Sequence, residues 1–377
     1  MIDMKPLFLI PVCFYLCCCS NTSGWNECPR KQGDVSALPV NIVIDSVCLD
    51  NIHSSLEGFS GTTSNGNIWF FDKNFGYLYH FDLDGHYLRR EMGIGNGPTE
   101  TIIKGASGCC FSTENNFVVI GNNADFQYFS ENYKNYVRME YYDPFSTPGI
   151  KPDDFSLYSD AWDNLVHLSM DKKLYMTLNS EFPKFNYFNN THKYLEKSYR
   201  LGVVNIDNGK SNVIIKGFPQ IYHDNPYLFS SVPYINIDIY EDGFIVNFEA
   251  DSTIYLCNRS GFPEFAFGHA GKDMDLNFAP VKSYSSYKEY RKNREEKGRY
   301  SSIKYIPETG LIFRSYIKGR STAHDGLQIY DKEGKLLIDL EVPKNFKITG
   351  YIAPFYFSNI FCNDADFSMS LYRMKMN

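Results

Sequence analysis

The stretch Ser64-Asn65-Gly66-Asn67-Ile68-Trp69-Phe70-Phe71-Asp72 is a polar turn running straight into an apolar strand, and the pattern recurs along the chain. Glu114-Asn115-Asn116 precedes Phe117-Val118-Val119-Ile120, and Asp171-Lys172-Lys173 precedes Leu174-Tyr175-Met176. Glu241-Asp242-Gly243 leads into Phe244-Ile245-Val246, and Pro307-Glu308-Thr309-Gly310 into Leu311-Ile312-Phe313. A second device alternates with the first: Asp82-Leu83-Asp84-Gly85, Asp207-Asn208-Gly209, Asn258-Arg259-Ser260-Gly261 and Asp331-Lys332-Glu333-Gly334. Each is a hairpin loop closed by a glycine, which supplies the positive φ such turns need. Antiparallel hairpins returning every ~50–70 residues mark an all-β fold, a β-propeller whose blades are small twisted sheets.

The blades centre near residues 60–92, 109–142, 157–216, 233–268 and 299–342, with a last sheet over 346–376 ending in the strand Phe367 to Met374. Six blades is the best count, with five or seven as the alternatives. A ring must close, and Leu38 to Val47 (LPVNIVIDSV) is an orphan strand with alternating apolar residues. Pairing it with the C-terminal blade would remove both free edges.

The bulk numbers agree. Of 377 residues 43% are hydrophobic, and 29 Tyr and 30 Phe favour strands over helices. The net charge of −7 gives no electrostatic footprint for nucleic acid. The segment Asp143 to Asp160 reads as loop. Pro280 to Arg299 is the one strongly helix-like segment, and its basic residues suit either a docking surface for an acidic partner or a solvated helix packing Tyr284 and Tyr287 on a blade.

The N-terminus sets an address. Lys5 precedes an apolar run from Pro6 to Leu16, too short to span a bilayer and of the length of a secretory h-region. Leu16-Cys17-Cys18-Cys19-Ser20 resembles a bacterial lipobox with Cys19 as the lipidated residue, the alternative being an ordinary cleaved signal. The expected organisation is a signal peptide over 1–18, a tether over 19–36 and a propeller over 37–377. Ser20 in place of Asp resembles outer-membrane sorting, with the domain periplasmic or surface-exposed. The polar run Ser20 to Ser36 reads as a linker, and removing Ser20 to Gly33 should be nearly neutral by comparison with deleting Leu38 to Val47. Cys28, Cys48, Cys109, Cys110, Cys257 and Cys362 follow the anchor; an exported compartment permits disulfides, but their pairing stays open.

Gly93-Ile94-Gly95-Asn96-Gly97-Pro98-Thr99-Glu100 is the one glycine-rich loop with a superficial likeness to a phosphate site. A Walker loop needs Gly-Lys-Ser/Thr opening a helix, and a dinucleotide fold needs a βαβ unit. Here Pro98-Thr99-Glu100 follows a strand, so Gly93, Gly95, Gly97 and Pro98 read as a tight passage between blades. A strand, a D-x-x-G hairpin and G-x-G-x-G-P-x-E resemble the six-bladed propeller lipoproteins of Bacteroidota, a family largely known as domains of unknown function. Gly298-Arg299-Tyr300-Ser301-Ser302-Ile303-Lys304-Tyr305-Ile306-Pro307 and Asn363-Asp364-Ala365-Asp366-Phe367 add to the resemblance. It covers nearly all of the mature chain and implies a fold, with no catalytic residues to carry over.

The eight His residues form no H-x-x-x-H or H-E-x-x-H pattern. His80 and His86 flank a hairpin and are expected at the surface. The carboxylate pairs Asp153-Asp154 and Asp364/Asp366 match no calcium loop. The expectation is therefore a membrane-anchored binding protein for a protein, peptide or glycan, with no metal, cofactor or catalysis. The alternative is a cell-surface glycan hydrolase or lyase using acidic residues at the channel mouth.

Overall fold

A computed structural model describes residues 24–31, 41–112, 114–122, 125–130, 133–139, 166–168, 172–180, 190–226, 234–279, 281 and 287–376. Cys19, the carboxylates Asp153-Asp154 and the loop 143–160 lie outside them. The chain is a six-bladed β-propeller: six antiparallel sheets, each paired in chain order except the last. Blade one comprises Gly58–Thr62, Ile68–Asp72, Tyr77–Phe81 and Tyr87–Met92. Blades two and three fall within 108–138 and 166–216. Blade four is Ile235–Tyr240, Gly243–Phe248, Ile254–Cys257 and Pro263–Phe267. Blade five is Arg299–Ile306, Leu311–Ile317, Asp325–Tyr330 and Leu336–Val342.

The predicted turns sit where the sequence puts them. The five polar turns join first to second strands, and the glycine-ended loops join third to fourth. Gly85, Gly209, Gly261 and Gly334 all have φ between +75° and +91°, a region that carries little cost only without a Cβ.

Burial explains the strand sequences. The second and third strands lie between neighbouring blades and are covered on both faces, so Ile68–Asp72 and Asp325–Tyr330 are buried throughout. The outermost strand of blade one, Tyr87–Met92, is exposed along nearly its whole length and carries Arg89, Arg90 and Glu91. The apolar residues segregate into six clusters, each spanning two adjacent blades. The sixth, holding Phe70 and Tyr79 of blade one with Phe357 and Leu371 of blade six, shows that the ring is closed.

Blade six is built from both ends of the chain. Its order is Ile42–Cys48, Ser368–Met376, Phe355–Ser358, Ile348–Ile352, with the short strand Phe361–Asn363 beside Ser368–Met376. The orphan strand pairs antiparallel from Ile42 opposite Met376 to Cys48 opposite Ser370. Alternation serves both sides: Ile42 and Ile44 pack on the cluster between blades five and six, Val47 on the cluster between six and one.

One segment corrects the linker reading. Residues 24–31 do not hang free: Trp25 is completely buried between blades three and four. Its ring meets Phe248 and Tyr255 edge-on at 5.1 and 4.9 Å, and its Nε1 donates to the Lys216 carbonyl at 2.9 Å. Arg30 bridges to Ala266 on the outer strand of blade four, with Lys31 N donating to the Ala266 carbonyl and Ala266 N to that of Pro29. Burial of the indole offsets part of the entropy of ordering this segment, and the backbone hydrogen bonds to Ala266 and the side-chain bonds to Lys216 and Gln220 add to it. Trp25→Ala should therefore lower stability by about 3 kcal/mol and open residues 24–31 to proteases. Unchanged denaturant midpoint and unchanged proteolysis would contradict this docking.

The helix-like segment is a helix over Tyr287–Glu296. Its charges are largely spent internally: Arg291 pairs with Glu295, Lys292 with Glu296, and Arg294 reaches the buried Glu249 of blade four at 2.9 Å.

Candidate functional site: the crossover face

In a four-stranded meander the first-to-second and third-to-fourth turns share one face of the disc. The second-to-third loops and the blade-to-blade crossovers share the other. Several buried polar residues, Arg314, Gln127 and Asp72 among them, fix loops of this crossover face.

Between blades four and five the central element is Arg314, fully buried in the middle of Leu311–Ile317. Its Nε donates to Gln328 Oε1 at 3.0 Å, its Nη1 to the Ser252 carbonyl at 2.7 Å, and its Nη2 to Tyr330 Oη at 2.9 Å and to the His269 carbonyl. The guanidinium also lies 4.1 Å over the Tyr300 ring. Gln328 Nε2 donates onward to the Ala270 carbonyl at 3.2 Å and to Asp339 at 2.8 Å, and Tyr316 donates to Asp339 at 2.6 Å. Burial, followed by the Asp339 carboxylate that holds its proton, pushes the Tyr316 hydroxyl far above its ordinary range. This is a clasp: it ties the loop at Ser252 and the crossover at His269–Ala270 to blade five.

Blade two repeats the device. The buried Gln127 accepts from Thr101 Oγ1 at 2.9 Å and from Ile102 N at 3.0 Å, holding the crossover from blade one. That crossover contains the glycine-rich passage. Gly93 has φ +145°, whereas Gly95 and Gly97 do not occupy the positive region. They are required for space instead: a Cβ on Gly95 would come within 2.1 Å of the Glu100 carboxylate, and one on Gly97 within 2.9 Å. Pro98 takes the second position of the turn closed by Glu100 N to the Gly97 carbonyl, where its fixed φ fits. The N–H groups of Gly95 and Gly97 are engaged within the loop, Gly97 N giving to Glu100 Oε2 at 2.7 Å and Gly95 N to the Thr101 carbonyl. Gly97→Val should displace Glu100 and lower stability by about 1–3 kcal/mol. Isothermal titration of the native protein should show no binding of ATP, GTP or NAD; a micromolar affinity lost in Gly97→Val would restore the phosphate-loop reading.

At blade one the fixed loops carry exposed apolar side chains. Asp72, fully buried, accepts from Ser54 Oγ, Ser55 N and Oγ, Asn74 N and Phe75 N at 2.6–2.9 Å. Phe75, so positioned, stacks on His53 at 5.4 Å and 8°, yet remains 38% exposed. Ile94 and Ile102 on the neighbouring crossover are 37% and 41% exposed. A Cβ added at Gly76 would sit 3.0 Å from Ile94 Cγ1, which places Ile94 directly against the Phe75 loop.

The other expected site residues disperse. Asp364 and Asp366 are exposed at the turn before Ser368–Met376, and Asp366 caps Ser368 at 2.6 Å. Cys109 and Cys110 lie in the strand Gly108–Phe111, and Cys28 and Cys257 share the cluster around Trp25. Among the described residues no group of His, Cys, Asp and Glu is arranged to hold a metal ion. His86 is exposed as expected, but His80 is 2% exposed, a correction to the surface reading. A third-strand residue faces the next blade, and His80 packs against Phe111. Its Nε2 lies 3.3 Å from Glu91 Oε2. That contact, with help from Arg89, holds the Glu91 carboxyl down to about 2. The lowered value makes Glu91 stabilising at neutral pH, with the contribution lost as pH falls from about 4 toward 2. In His80→Phe the Glu91 carboxyl should titrate nearer 4 by NMR; no change would remove His80 as the cause.

Two solved structures share the fold. One is a member of the DUF4221 family from Bacteroides vulgatus ATCC 8482, with a TM-score of 0.65 and 10% identity over 92% of this chain and 99% of that one. The other, from Bacteroides fragilis NCTC 9343, is described as an exported protein and gives 0.52 and 13% over 93% and 99%. A virginiamycin B lyase from Staphylococcus aureus gives 0.42 and 11% over 89% and 99%, too low to bear on this chain's chemistry. No protein-family model matches the sequence, and no curated protein is similar to it. At such identities the likeness is one of fold, and fold does not carry function.

The sequence reading missed Arg314, Gln328, Gln127 and Trp25. The signal was there for three of them: a single charged or amide residue in the middle of an otherwise apolar strand, as in Ile312-Phe313-Arg314-Ser315-Tyr316 and Phe126-Gln127-Tyr128, must be buried and partnered.

Proposed function

We propose that the protein is an exported, lipid-anchored binding module that captures a protein, peptide or glycan on its crossover face without chemistry. The observation that carries this is the exposed apolar trio Phe75, Ile94 and Ile102 on loops fixed from beneath by Asp72 and Gln127. Apolar side chains kept in water on rigid loops bind with little ordering cost, and clustered exposed apolar residues mark recognition surfaces. By contrast, the strongest polar constellation, around Arg314, is buried and internally saturated. Charged residues farther along the same strands are paired as well: the buried Lys318 gives its ammonium to the exposed Glu341 at 2.6 Å, and the buried Asp325 takes that of Lys344 at 3.1 Å. The lipobox-like Leu16-Cys17-Cys18-Cys19 supports anchoring at Cys19, placing the domain in the cell envelope at the outer membrane.

Affinity capture from detergent-solubilised envelopes tests the reading. A partner bound by the native protein should be lost in Phe75→Asp/Ile94→Asp and retained when Phe262, exposed beside the third-to-fourth turn of blade four, becomes Asp. Equal recovery with both variants would overturn the assignment. Release of reducing sugar ends or unsaturated products from envelope glycans would favour the hydrolase or lyase alternative.

A further inference from the structure

We infer that the outer rim of blade four faces the lipid headgroups, so that the propeller stands edge-on and leaves both faces of its disc open to partners. The inference rests on the lipidation of Cys19 proposed above and adds an orientation to it. Two observations fix the geometry. Gly24 is held at the rim: a Cβ there would lie 2.7 Å from Phe262 Cε2 and 3.3 Å from Pro263 Cγ, at the start of the outer strand of blade four. Immediately after it Trp25 is sealed between blades three and four, and Asn26 exchanges hydrogen bonds with Gln220 at 3.0 and 3.1 Å. The chain is thus clamped over residues 24–31, and Cys19 lies only five residues before the clamp.

Five residues at full stretch reach roughly 17 Å. A domain of this length has a radius of gyration of about 20 Å and is therefore roughly 50 Å across. A leash a third of that width cannot let the molecule tumble. The rim beside Gly24 must stay close to the headgroups, while blade one, three blades away in a six-membered ring, points into solvent. Phe262 is 52% exposed beside the point where the chain emerges, an aromatic side chain suited to the interfacial region. The net charge of −7 gives the remaining surface no general attraction to anionic lipid, so the leash and not electrostatics sets the orientation.

Photo-crosslinking to phospholipid in intact envelopes tests this. A benzoylphenylalanine replacing Phe262 should label lipid at least ~5-fold more than one replacing Leu88, which is 47% exposed on the outer strand of blade one. Inserting a flexible Gly/Ser segment between Ser23 and Gly24 should abolish the difference, because reach grows with linker length. Mass spectrometry of the N-terminal peptide separates the two ways of failing. Acylated Cys19 with equal labelling at both positions overturns the orientation alone. An N-terminal peptide without acyl chains overturns the anchor and the orientation together.

Discussion

Deletion of Ile42–Cys48 should collapse the cooperativity of the whole ring. The strand supplies Val47 to the core between blades six and one, and Ile42 and Ile44 to the core between five and six. It also covers the edge of the C-terminal strand from Ser370 to Met376. Losing one buried and two half-buried aliphatic side chains costs about 3–6 kcal/mol at the usual 1.5–3 kcal/mol for full burial. That is a large fraction of a typical 5–15 kcal/mol stability. The neighbouring contacts compound the loss. Leu49 N donates to the Met369 carbonyl and Asp50 N to that of Gly85, so the chain leaving the strand staples blade six to blade one. Urea unfolding of the truncated chain should show a much lower midpoint with a broadened transition. A midpoint equal to that of the intact protein would mean that the strand is an ornament on an independently closed ring.

Arg314→Ala should be the most damaging point substitution. It removes a buried cation, takes the side-chain donor from the Ser252 carbonyl, and leaves the His269 carbonyl only long contacts from Tyr300 Oη and Gln328 Nε2 at 3.4 Å and Gln328 Oε1 only the Tyr330 hydroxyl at 2.9 Å. Breaking such a buried polar arrangement from one side costs about 3–5 kcal/mol. Arg314→Lys should recover little, because an ammonium cannot span acceptors on two loops and one strand at once. The double variant Arg314→Met/Gln328→Leu should regain part of the loss, since it withdraws both a donor and an acceptor while keeping volume. Thermal melts of the four proteins check this ordering. If Arg314→Ala were within ~0.5 kcal/mol of the native protein, the clasp would not hold blades four and five together.

The ring was largely legible because its signals are local. Turn chemistry at Gly85, Gly209, Gly261 and Gly334 depends on two or three adjacent residues, and the hairpins follow from it. The closing strand could be read from Ile42 and Ile44 in alternation, because an unpaired strand in a closed fold has only one edge left to cover. The clasps were harder. Arg314 meets Ser252 and His269 across a blade interface, and nothing in its neighbours specifies those partners. Trp25 lies in a polar, turn-rich run whose composition describes a linker, and one indole outweighs that composition by finding a slot between Phe248 and Tyr255. The proposed recognition surface follows from topology: the loop of Phe75 and the crossover carrying Ile94 and Ile102 lie side by side because crossovers and second-to-third loops share a face.

The most direct test of a ring closed by its own N-terminal strand is hydrogen exchange of the native protein, followed peptide by peptide. The alternate amides of Ile42–Cys48 that bond Ser370–Met376 should exchange as slowly as those of that partner and should be released with them in one cooperative step near the global unfolding free energy. Exchange of Ile42–Cys48 within seconds, while Ser368–Met376 stays protected, would show that the ring does not depend on that strand.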